Sequence, residues 1–138
     1  MSFEKIDTTN NEIEEGRSCI LLCNFIGKEL KIVQNYSDII GVRDKEILSY
    51  KNGESKIEDI IDGRILSEGN DGPKNKVIIF NNVSQSKIGI FIENIKKLKI
   101  KNVLFAVVTD TSKEWTLNTL INNLVEERKA MQKGTSAH

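Results

Sequence analysis

Histidine, cysteine, proline and tryptophan are scarce in this chain, and each shortage removes a class of chemistry. The one histidine, His138, is the last residue. A Ser-His-Asp triad, a Cys-His pair and a multi-histidine metal site are therefore excluded together. Two cysteines, Cys19 and Cys23, lie four apart within an apolar run. In a strand their Cα atoms would stand about 13 Å apart, too far for a disulfide, so they read as small core residues of a reducing compartment. No GxGxxG, GxSxG, HExxH, EF-hand or CxxC pattern occurs, and the segment Asn24-Phe25-Ile26-Gly27-Lys28 lacks the glycines and the Ser or Thr of a Walker loop. No cofactor or metal is expected. The longest apolar run, Val103 to Val108, is far short of a bilayer span, and Glu4 and Asp7 stand where a secretory signal would be basic and then apolar. The chain reads as a bacterial cytosolic protein with no membrane partner. Lys and Arg number 20 and Asp and Glu 20, so bulk charge gives no reason to expect nucleic acid either.

The 138 residues are 38% hydrophobic and 29% charged, the balance of an ordinary globular domain. Residues 1–16 are polar and acidic and read as a flexible tail. Cys19 to Phe25 reads as a buried strand. Leu30, Val33, Tyr36 and Ile40 form a helical stripe closed by Gly41, and Glu46 to Tyr50 forms a second strand. Ser55 and Glu58 have the spacing of a capping box ahead of Ile57, Ile60 and Ile61. A linker over 63–75 holds the only proline, Pro73.

The same order then returns. Val77 to Phe80 reads as a strand, Ile88, Phe91, Ile95 and Leu98 as a helical stripe, and Val103 to Val108 as a strand. Thr111 and Glu114 form a second capping box before Trp115, Leu117, Leu120, Ile121 and Leu124. The expected organisation is a first β-α-β-α half over 17–62, a second over 76–130, and a polar tail over 131–138. Residues 1–70 carry nine basic against 14 acidic residues, and residues 71–138 carry 11 against six. Opposite charge on two such halves favours self-association.

These features define an α/β (α+β) protein with a single four-stranded sheet and packed helices. A two-layer ferredoxin-like arrangement is the first expectation and a three-layer flavodoxin-like one the alternative. In parallel strands Asn24, Asn81, Asn82, Thr109 and Asp110 would gather at the carboxyl ends, where α/β proteins bind ligands, and Trp115 would line or seal that region. These six are the candidate ligand-binding residues, for a small polar or anionic ligand. No catalytic residue is nominated. The competing reading is that they cap the following helices, and Trp115 then belongs to the core. The leading functional expectation is a non-enzymatic protein-interaction or regulatory module, with a protein partner or a second copy of itself.

The second half carries a further signal. Val77-Ile-Ile-Phe-Asn-Asn-Val83, the helix after it, Val103-Leu-Phe-Ala-Val-Val-Thr109 and then Trp115-Thr-Leu117 resemble the DUF3783 family of small, uncharacterised bacterial proteins. The resemblance covers about residues 76–127. This chain has Asp110 and Ser112 where the family pattern has proline and asparagine. The resemblance implies a fold unit and a bacterial cytosolic origin, and no reaction.

Overall fold

The computed structural model describes residues 16–136. The elements run β1 (Cys19–Cys23), α1 (Gly27–Ile39), β2 (Lys45–Leu48), a 3-10 turn (Tyr50–Asn52), α2 (Ile57–Ile61), β3 (Lys76–Asn81), α3 (Gln85–Lys97), β4 (Val103–Val107), a second 3-10 turn (Ser112–Glu114) and α4 (Leu117–Ser136). The tail expected over 1–16 lies, Gly16 apart, outside the described residues. At the other end α4 continues through Ser136, past the expected boundary at 130.

The four strands form one mixed sheet in the order β2-β1-β3-β4. β1 and β2 are parallel, β3 and β4 are parallel, and the two pairs meet antiparallel along β1 and β3. The α+β class and the single four-stranded sheet are therefore as the sequence implies. Antiparallel pairing between the halves excludes an all-parallel flavodoxin-like sheet. Each β-α-β unit keeps its two strands side by side instead of interleaving them with the other unit's.

The layering is three, where the ferredoxin-like expectation has two. On one face Leu21, Val77, Ile79 and Leu104 pack under α2 and α4 through Ile57, Ile60, Leu117 and Ile121. On the other, Ile20, Leu22, Ile78 and Phe80 pack under α1 and α3 through Val33, Ile88, Phe91 and Ile95. The rings of Phe80 and Phe91 meet edge to face at 5.5 Å. The cause lies in the strands. All five residues of β1 and the four central residues of β3 are buried. A sheet with one wet face would alternate apolar and polar residues; an unbroken apolar run needs cover on both sides.

The two halves match place for place. An offset of 58 residues relates Gly27 to Gln85 and Lys45 to Val103, the first residues of corresponding elements. It also relates Leu21 to Ile79, which pair directly across the antiparallel junction, so a local twofold axis passes through that pair. Asn24 and Asn82, again 58 apart, both take a left-handed backbone at φ 66 and 55. Gly41, at φ 88, ends α1 as expected, and Lys99 at φ 60 holds the matching place after α3.

Candidate functional site

Because β1 and β3 run in opposite directions, the six candidate residues do not converge. The carboxyl ends of β3 and β4 bring Asn81, Asn82, Thr109 and Asp110 to one cleft of about 600 Å³, which Arg17, Glu58, Asp62 and Lys113 also line. Asn24 stands at the opposite end of the sheet. The single ligand-binding edge expected for six residues is thus divided by strand direction.

Within the cleft most polar groups are committed to the backbone. Asn81 donates through Nδ2 to the Arg17 carbonyl at 2.7 Å, and Asn82 to the Gly16 carbonyl at 3.3 Å. Thr109 and Ser112 bind each other reciprocally: each backbone N–H donates to the other's hydroxyl, at 2.9 and 3.0 Å. That closes the turn ahead of α4. Asp110 is fully exposed and stands 3.8 Å from the Lys113 ammonium. At the far end Asn24 Oδ1 accepts from the Tyr50 N–H at 2.9 Å, and its Nδ2 donates to the carbonyls of Asn75 at 2.7 Å and Pro73 at 3.3 Å. Asn24 and Asn82 therefore do the same work in the two halves, each tying a strand end to the segment that enters the neighbouring central strand.

Trp115 lies in neither group. It is half-buried against the core under α4. The expected capping box over 111–114 does not start this helix. Ser112–Glu114 is a 3-10 turn, Trp115 and Thr116 are extended, and α4 begins at Leu117. The other capping box is also unmade: Ser55 Oγ bonds the Leu66 N–H at 2.8 Å, and no side chain caps α2. Instead the backbones of the two segments pair. Ile57 N–H donates to the Trp115 carbonyl and Leu117 N–H to the Ser55 carbonyl, both at 2.9 Å.

The strongest electrostatic feature of the cleft is Arg17, which the sequence reading did not single out. Its guanidinium forks onto Asp44 at 2.7 and 2.6 Å, reaches Glu46 at 2.9 Å and donates to the Ile61 carbonyl at 2.9 Å. The bond from Arg17 holds the Asp44 carboxyl below its ordinary range. With every direction of the fork occupied, Arg17 is a strut between β2 and α2. Burial pushes the Cys19 thiol up to about 11 and the Cys23 thiol up to about 12, so both are protonated and inert at neutral pH. Among the described residues no group of three or more His, Cys, Asp or Glu could hold a metal ion. No described helix is long and apolar enough to cross a membrane.

A second concavity, of about 740 Å³, is apolar and lies where the sequence gave no site. It runs between the edge strand β4 and the second half of α4, lined by Val103, Leu104, Phe105, Leu124, Glu127 and Arg128, with Met131 and Gln132 at its end. The run Val103 to Val108 was its visible signal, but strand order decides which strand is an edge.

The architecture is a three-layer α/β/α domain made of two like units about a local twofold axis. Residues 76–131, the second unit from the start of β3 into α4, match the family model described as a domain of unknown function (DUF3783). That is the family the residue pattern resembled. No curated protein and no solved structure matches the chain.

Proposed function

We propose that the chain is a non-enzymatic protein-interaction module of the bacterial cytosol, and that its contact surface is the groove between β4 and α4. The observation that carries this reading is the undefended edge. β4 reads Val-Leu-Phe-Ala-Val with no charge, whereas the opposite edge, β2, carries Lys45 and Glu46 in ion pairs with Asp38 and Arg17. Proteins ordinarily block exposed strand edges with charge, so an apolar edge beside an apolar groove suits a partner. The commitment of Asn24, Asn81, Asn82 and Thr109 to backbone groups supports the same reading against a reaction site. The constant offset and the local twofold axis favour descent of both halves from one duplicated unit.

The test is a photo-reactive benzoylphenylalanine at Phe105 of the full chain, irradiated in cells, with Tyr50 as the control position away from the groove. Protein adducts from position 105 and none from position 50 are expected. No adduct from position 105 would overturn the reading.

The second reading is a small polar or anionic ligand in the 600 Å³ cleft, favoured by the convergence of Asn81, Asn82, Thr109 and Asp110 on it. A thermal-shift screen with phosphate, carboxylates and nucleotides distinguishes it, because binding to the native state raises Tm by mass action. A flat screen removes it.

A further inference from the structure

We infer that the occupant of the β4/α4 groove is a second copy of this chain, whose β4 pairs antiparallel with the first to give a continuous eight-stranded sheet. This rests on the interaction-module reading and names its partner.

The first argument is the edge itself. Antiparallel pairing centred on Phe105 places Val103 opposite Val107 and Leu104 opposite Ala106, large against small, with no charge left inside the ladder. Val103 and Phe105 belong to the core face under α1 and α3, while Leu104 and Ala106 belong to the face under α4. Pairing about Phe105 keeps these sets on their own faces, since directly opposed residues point the same way. Both copies of α4 then lie on one face of the joined sheet, next to each other across the twofold axis.

The second argument is charge complementarity on that helix. Glu127 and Arg128 are adjacent, exposed and on the rim of the groove. A twofold axis turns such a neighbouring pair into a self-complementary surface, each glutamate reaching the other copy's arginine. A peptide of unrelated sequence could use the bare strand, but it would have no reason to match this alternation of signs. The molecule already joins its own two halves in this manner, along the antiparallel pair β1 and β3 about a local twofold.

Sedimentation equilibrium of the full chain tests the inference. The wild type is expected at twice its 15.6 kDa. Val107→Lys, a charge on the edge, is expected to raise the dimer dissociation constant at least about tenfold. Should that variant misfold, the exposed helix face supplies the test. Glu127→Arg and Arg128→Glu should each weaken the dimer by about the same factor, and the double exchange should restore it. A wild-type chain that stays monomeric at high micromolar concentration overturns the inference, as does a dimer indifferent to all three exchanges. In the cross-linking experiment an adduct of twice the chain mass supports it. Adducts only of other masses overturn self-pairing and leave the module reading standing, and no adduct at all removes both.

Discussion

At the scale of single residues, the polar side chains serve the backbone more than any ligand. Arg17 is the clearest case, since one guanidinium ties the starts of β1 and β2 to the end of α2. Asp44 is its main partner, and the bond lowers the folded-state pKa of that carboxyl from the ordinary 3.8. A group depressed in this way contributes stability above its unfolded pKa and loses it as pH falls through the folded one. Wild type should therefore lose stability more steeply than Arg17→Met below about pH 4. The difference should not exceed about 1 kcal/mol, because the Asp44 side chain is 47% exposed and solvent screens the pair. Urea titrations across the acid range check this, and parallel curves for the two proteins would contradict it. Asn24 shows the same economy of role. It combines a left-handed turn with bonds to Tyr50, Pro73 and Asn75, so one side chain joins β1 to two later segments.

At the scale of elements, the junction between the starts of α2 and α4 binds the halves together on the face opposite α1 and α3. The isolated bridge between Lys56 and Thr116 gives the first amides of each helix a carbonyl from the other half. Trp115 packs beside this bridge, half-buried on the core. Trp115→Ala should cost about 3 kcal/mol, the low end for a large aromatic deletion, and a urea midpoint within experimental error of wild type would contradict that. The elements themselves were legible because their patterns are local. β1 was read as Cys19 to Phe25 and ends at Cys23; β2 was read as Glu46 to Tyr50 and spans Lys45–Leu48. The capping boxes at Ser55 and Thr111 failed because their amides find partners some 60 residues away, and no local spacing reports a partner at that range. Strand direction was hidden for the same reason, and it separated Asn24 from Asn81, Asn82, Thr109 and Asp110. The third layer was legible in principle, since the unbroken run Ile20-Leu21-Leu22-Cys23 leaves no wet face for a two-layer sheet.

At the scale of the whole molecule, a local twofold axis relates two units whose outer edges differ. At the matching positions the first unit has Lys45 and Glu46, and the second has Val103 and Leu104. The charged edge keeps other strands away; the apolar one invites them. The second unit also carries the longer helix, 20 residues in α4 against five in α2, and it is the overhang of that helix that forms the groove. Two inheritors of one architecture have thus acquired opposite surfaces, and the difference marks the place where function resides. Amide hydrogen exchange followed as a function of protein concentration tests this most directly. Protection of Val103 to Val107 should rise with concentration while that of Lys45 to Leu48 stays constant. Exchange in β4 that is fast at every concentration, or that changes equally at both edges, would contradict the account.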